Sequence, residues 1–314
     1  METINKVGFT TYDVATGEVL EERKLNKNEQ LKVVRKITPK QREHHKNKWD
    51  MQAMTRSLDG FVWVFYFNNE LLFSKEVVSK ANVTRLMMLA TYMNYNNQLI
   101  IGDETLSEKI IKFNNDTTYM SKKDVQQVLN LKDRTFQLFF KEVTDANILI
   151  EEDGKFMLSQ QYFYKGEINS KREGIWSSYT RMYVKPIRQI YNSMKTTKHN
   201  LLSYVFQLIP CVHYSTNFIC KNLDSSSGTL DYMNIKDICE FLGLATDKKS
   251  LAKFKKDLKS IHVEYNGRMA HLVNEVIYSS STNYKQRFVF NPYVVTSISQ
   301  KEEINNIMKS LFVE

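Results

Sequence analysis

Hydrophobic positions along this 314-residue chain change period in a telling order. Over residues 79–95, Val83, Leu86, Met87, Ala90 and Met93 recur at helical spacing, with Ser79 placed to cap the helix. A short apolar strand, QLII, follows. MSKKDVQQVLNL predicts a short helix capped by Ser121, with Val125, Val128 and Leu129 inward. KDRTFQLFFKEVTDAN predicts a longer helix with Phe136, Phe139, Phe140 and Val143 inward. NILIEEDGKFML then sets two apolar runs around an acidic turn ending in Gly154, and a basic aromatic tail from Tyr162 to Lys165 comes after it. Helix, strand, short helix, three-residue turn, longer helix and hairpin is the order of a winged helix-turn-helix. Helix pairs and hairpins are each common, but this complete order is much rarer, so the hairpin reads as a wing.

The order occurs twice. HNLLSYVFQLIPCVHYSTNFIC can be laid over ANVTRLMMLATYMNYNNQLII, so that Leu202 falls on Val83, Val205 on Leu86 and Tyr214 on Tyr95. MNIKDICEFLGL falls on MSKKDVQQVLNL, and after a two-residue insertion Leu251, Phe254 and Leu258 fall on Phe136, Phe139 and Val143. VEYNGRMAHL falls on IEEDGKFML, with Gly267 on Gly154. Inward spacing survives while outward residues differ, as two copies of one fold should show.

Before the first copy, residues 1–24 read as a hairpin turning at Thr16-Gly17. Residues 23–48 are a charge run with ten Lys or Arg against two acids, either a solvated linker or helix face or an arm that contacts DNA. FVWVFYF, an Asn-Asn turn and ELLFSKEVV predict a second, strongly apolar hairpin that must be covered by the next domain or a partner subunit. The expected class is α+β, mainly α: a β-hairpin-rich N-terminal region and basic arm over 1–78, winged-helix domains over 79–170 and 171–300, and a helical tail over 301–314.

Composition sharpens this picture. Hydrophobic residues make up 42% of the chain and aromatics 12%, enough to build packed cores. Ten Gly and four Pro favour long regular elements over a loop-rich design. A net charge of +9 points to a polyanionic partner. Cys211, Cys220 and Cys239 form no CxxC pair and read as reduced, buried thiols of a cytoplasmic protein. No apolar run is long enough to span a bilayer, and METINKVGFTTYDV lacks the basic-then-apolar pattern of a signal segment. No P-loop, GxGxxG, GxSxG or metal-ligand cluster occurs, and His44-His45 lacks the alternation that would aim two imidazoles at one metal. An enzyme is therefore not expected, nor a catalytic residue, a cofactor or a metal.

Candidate chemistry lies on the outward faces of the two longer helices. The first carries Lys132, Arg134, Thr135, Gln137 and Lys141; Arg can donate two hydrogen bonds to guanine and Gln can pair with adenine. The second carries Thr246, Lys248, Lys249, Ser250, Lys253, Lys255, Lys256 and Lys259, a composition that favours phosphate affinity over discrimination. A solvated Lys-rich face is the plain alternative for both. Asp133 and the acidic tip at Glu151, Glu152 and Asp153 would repel phosphate. Between the copies, residues 174–223 hold no acid but include Arg181, Lys185, Arg188, Lys195, Lys198 and Lys221, which suggests a continuous phosphate track. Pro186 suits the first turn of a helix there, with Ile187, Ile190, Tyr191 and Met194 inward.

The helix DRTFQLFFKEV, the wing and the tail FYKGEI resemble the winged-helix segment of Firmicute plasmid replication initiators of the RepL type and of related MarR-like phage proteins, over residues 79–168. YTRMYVKPIRQIY and HNLLSYVFQLIP are similar to segments of longer phage or plasmid members. Tandem winged helices also resemble the two-domain plasmid initiators, which bind repeated origin sites and unwind nearby AT-rich DNA. The resemblance implies DNA-facing roles for Lys132, Arg134, Thr135 and Gln137, with Lys155 and Lys165 on the wing side; the acidic wing tip departs from a basic wing. The expectation is a sequence-specific binder of double-stranded DNA, first a replication initiator and otherwise a repressor of a mobile element. Host replication proteins and a second copy of the chain are further candidate partners. A structural module that never touches DNA is the third reading, and it leaves the basic residues without a role.

Overall fold

The computed structural model describes residues 38–66, 77–101, 118–168, 179–223, 230–278 and 285–312, and the backbone alone of 8–12, 19–24, 279–280 and 283–284. Helices and small antiparallel sheets make a mixed α/β architecture. The chain divides into two units, Met1–His45 and Lys46–Glu314. In the first, strands β1 (Gly8–Tyr12) and β2 (Val19–Lys24) pair antiparallel as the sequence pattern predicts, and the Thr16-Gly17 turn lies outside the described residues. The basic run ends in helix α1 (Pro39–Ser57), which is exposed along most of its length and buries Met54 near its end.

The second unit is organised about a four-stranded antiparallel sheet. Its middle strands are β3 (Phe61–Phe65) and β9 (Tyr179–Tyr183), with Trp63 opposite Arg181. Strand β8 (Phe163–Tyr164) lies outside β3 and β14 (Val295–Thr296) outside β9. The registers match: Val64 faces Phe163 as Met182 faces Val295, and Trp63 faces Tyr164 as Arg181 faces Thr296. The sheet thus has an approximate two-fold relation about the Trp63–Arg181 pair. The predicted hairpin between FVWVFYF and ELLFSKEVV is not how β3 is used: neighbours occupy both sides of Trp63 and Val64. The Asn68-Asn69 turn and most of the second run lie outside the described residues.

Each half of this unit then carries the same series. The first has α2 (Lys80–Ala90), β4 (Ile100–Ile101) paired with β5 (Thr118–Tyr119), α3 (Lys122–Val128), α4 (Asp133–Asp145) and the hairpin β6–β7 (Leu149–Glu152, Lys155–Leu158). The second opens with α5 (Val184–Ser193), which has no described counterpart, and continues with α6 (His199–Gln207), α7 (Ile235–Phe241) and α8 (Lys248–Lys259). Local chemistry starts the paired helices alike. Ser121 caps α3 in a capping box with Asp124, and Asn234 caps α7 in a capping box with Asp237. Pro186 lies in the first turn of α5, and Ile187, Ile190 and Tyr191 are buried.

Two hairpins follow α8, and the backbone bonds decide which one matches β6–β7. In the first half Leu99 N–H donates to Phe156 C=O and Leu158 N–H to Asn97 C=O. In the second, Ile219 N–H donates to Phe288 C=O and Phe290 N–H to Asn217 C=O. The counterpart of β7 is therefore β13 (Asn283–Phe290), and that of β6 is β12 (Val273–Ser280), with Val273 opposite Phe290 as Leu149 is opposite Leu158. The hairpin β10–β11 (His262–Tyr265, Arg268–His271), which sequence alignment laid over β6–β7, is an addition between α8 and this ribbon. It resembles β6–β7 because both turns are two-residue loops at positive φ: Asp153-Gly154 at 51° and 69°, Asn266-Gly267 at 49° and 76°. That conformation selects Asx-Gly wherever it occurs.

One buried asparagine anchors each copy. Asn97 and Asn217 adopt φ of 61° and 56°. The Asn97 amide donates to the carbonyls of Leu158 and Phe163, and the Asn217 amide to those of Phe290 and Val295. Each Asn so joins the hairpin of its copy to an outer strand of the central sheet. Helices α2 and α6 pack on each other, and one continuous hydrophobic core takes in Leu86, Phe136 and Phe139 from one copy and Val205, Phe254 and Leu258 from the other. The final helix, α9 (Lys301–Leu311), buries Ile304 and Met308.

Candidate nucleic-acid interface

Helix α4 begins at the N-cap Lys132 and turns Phe136, Phe139 and Val143 into the core. Lys132, Arg134, Gln137 and Lys141 are exposed on the other side and Thr135 is half-buried. The acids of this helix are partly withdrawn from that face. Asp133 accepts a hydrogen bond from the Gln126 amide at 2.7 Å, and Glu142 turns back to Asn82 at 2.9 Å and to the Ser79 amide. What remains outward is a mixed face of cations, an amide, the exposed carboxylate of Asp145 near the helix end and the aliphatic side chain of Leu138, which sequence reasoning missed. Its signal was there: a leucine out of phase with the apolar stripe.

Helix α8 starts at Asp247, whose side chain accepts from the N–H groups of Lys249 and Ser250, and the hydroxyl of Ser250 helps hold that carboxyl below its usual pKa. Lys248, Lys249, Lys253 and Lys256 are exposed; Thr246 and Ser250 are half-buried. The other two lysines are engaged. Lys255 and Lys259 both pair with Glu275 of β12, the latter at 2.8 Å, and Glu275 also accepts from Gln286 of β13. Only 2% of the Glu275 side chain is exposed. Burial pushes its carboxyl pKa up, but Lys255, Lys259 and Gln286 outweigh burial and hold it below the ordinary value. This clamp fixes the ribbon to α8, and nothing in the local sequence signals it.

The residues nominated around the hairpins and between the copies differ in their surroundings. Lys155 lies over the Tyr119 ring at 4.4 Å, and Lys165 is half-buried, its backbone N–H donating to Asn97. Arg181 donates to the Ile298 carbonyl at 2.7 Å and stacks on Trp63. Arg188 donates to the Thr91 hydroxyl and carbonyl and lies 3.7 Å from the Tyr92 ring centroid. Lys221 pairs with Asp237 at 2.7 Å. Lys185, Lys195 and Lys198 are exposed. The acid-free stretch therefore supplies internal braces at its two arginines, because guanidinium groups beside an acid-poor core find carbonyls and aromatic rings instead.

The three cysteines are buried thiols, and burial pushes the Cys220 thiol up to about 11. Among the described residues no group of three or more His, Cys, Asp or Glu could hold a metal ion, and no helix is long and apolar enough to cross a membrane. No protein-family model, curated protein or solved structure matches the chain.

Proposed function

We propose that the chain binds double-stranded DNA through two unlike winged helix-turn-helix heads, with α4 and α8 as the helices that enter the major groove. The observation that carries this reading is the double occurrence of one backbone arrangement, each copy exposing basic residues on the outward face of its second helix. The net charge of +9 supports it. Arg134 and Gln137 are side chains able to make bidentate contacts to guanine and adenine, so α4 is the reading head. The lysines of α8 lack planar forks and suit phosphate, so α8 is the holding head. The tip of β6–β7, with Glu151, Glu152 and Asp153 exposed, stays away from the backbone of the DNA.

Two unlike heads in one chain match a long or repeated asymmetric site. Together with the resemblance to plasmid and phage initiators, this makes origin binding in DNA replication the function we adopt, with host replication proteins as its onward partners. Fluorescence anisotropy against a duplex selected from a random-sequence pool tests the binding. Log affinity should fall linearly with log salt, by a slope of about −0.9 per phosphate contact. Absence of binding to any duplex at low salt overturns the reading. Footprinting on the DNA around its own gene then tests the role: repeats beside an AT-rich tract are expected, whereas sites confined to promoters would make the protein a transcription regulator.

A further inference from the structure

Leu138 sits on the outward face of α4 with 63% of its surface exposed, while Phe136, Phe139 and Val143 of the same helix are buried. Arg134 lies one turn before it, Lys141 one turn after, and Gln137 beside it, all exposed. Packing does not ask for a leucine here. Counting from the buried pair Phe139 and Phe254, the matching place on α8 is Lys253, so the fold accepts a cation at this position. Lone exposed apolar residues are ordinary on protein surfaces. This one differs in its company: it is centred among donors suited to base edges. In the major groove, the apolar group that distinguishes one base from the others is the C5-methyl of thymine.

We propose that Leu138 is a specificity residue that contacts a thymine methyl, flanked by the polar base contacts available to Arg134 and Gln137. The inference rests on the DNA-binding reading above and goes further by naming the base that α4 selects. Burying one methyl against Leu138 is worth about fourfold in affinity, from about 0.8 kcal/mol per buried carbon group and 1.4 kcal/mol per factor of ten. A lysine at the same place on α8 has no such preference.

Uracil pairs as thymine does and lacks only the methyl, so it isolates the contact. The full chain is used to select a duplex from a random-sequence pool. That duplex is then made again with deoxyuridine replacing every thymidine, and anisotropy gives both affinities. Wild type should bind the uracil duplex about fourfold more weakly per contacted methyl. Leu138→Ala should bind the thymine duplex more weakly and lose most of that discrimination, while Leu138→Met should retain it. Thermal melts of the variants should match wild type, because the side chain is exposed. If wild type binds both duplexes equally, or if Leu138→Ala discriminates as strongly as wild type, the methyl contact is overturned while DNA binding stands. If wild type binds no duplex at all, the DNA-binding reading falls, and this inference with it.

Discussion

Helices α4 and α8 hold matching places, with Phe139 and Phe254 buried at equivalent positions and N-caps at Lys132 and Asp247. Outward they part: Arg134, Gln137, Leu138 and Lys141 on one, Lys249, Ala252, Lys253 and Lys256 on the other. The hairpins diverge further. Glu151 and Glu275 occupy the same rung, two residues into the strand from Leu149 and Val273, yet Glu151 is exposed whereas only 2% of the Glu275 side chain is. The difference lies in the helix behind them. Lys255 and Lys259 reach Glu275, whereas their counterparts on α4 are Phe140 and Thr144, and Phe140 packs on Phe156 instead. One backbone scheme thus supports a short acidic hairpin in one copy and a long ribbon clamped to its helix in the other. Shared inward positions hold the scheme, and outward positions are free to take separate tasks.

The most severe test of the comparison is whether the copies stand alone. Phe139→Ala and Phe254→Ala should each cost about 3–5 kcal/mol by leaving a cavity. Sequence alone suggests that each loss stays in its own half. Both residues belong to one continuous core, so each variant should instead lower a single urea transition seen alike by circular dichroism and tryptophan fluorescence. Two separate transitions would show that the copies unfold independently.

The seam between the copies should be acid-sensitive. His199 of α6 is 2% exposed, and burial, aided by the Arg85 charge, lowers its pKa from 6.5 to about 4. A depressed folded value favours the neutral ring. Its contribution is complete above pH 6.5 and is lost as pH falls towards 4, up to about 3 kcal/mol. Stability of His199→Phe should vary less over that interval; an unchanged profile would remove His199 as the cause.

Binding should separate the heads. Arg134→Ala is expected to cost about 1–3 kcal/mol on the selected site and relax its sequence preference. Replacing Lys248 and Lys249 by Ala should weaken selected and random DNA alike and flatten the salt slope. Equal losses on all DNA from both changes would erase the distinction between reading and holding. The smallest effect concerns the paired glutamates. Glu275→Gln should cost about 1–2 kcal/mol, discounted for the partly exposed lysines, whereas Glu151→Gln should leave stability within about 0.5 kcal/mol and modestly tighten DNA binding. Because the Glu275 carboxyl is held low, its contribution should be present above the ordinary carboxylate range and fade as pH falls through its folded value.

Much of the local structure was legible in the chain alone. Ser121 with Asp124 and Asn234 with Asp237 specify helix starts through bonds spanning three residues. Apolar spacing placed Phe136, Phe139, Val143, Phe254 and Leu258 inward, and Asx-Gly marked both tight turns. These features need only near neighbours, so sequence determines them. Partnership between distant strands is different. Both β10–β11 and β12–β13 satisfy hairpin chemistry, and only the long-range bonds from Asn217 and Ile219 to Phe290 and Phe288 select the ribbon as the counterpart of β6–β7. Likewise β3 could read as half of a hairpin until β8 and β9 occupied its sides, and nothing local to Arg181 and Arg188 foretells their bonds to the carbonyls of Ile298 and Thr91. Strand edges and guanidinium groups accept many partners of similar local merit. The choice among them is made by which pairing also closes the shared core around α2 and α6, and that is a property of the assembled chain.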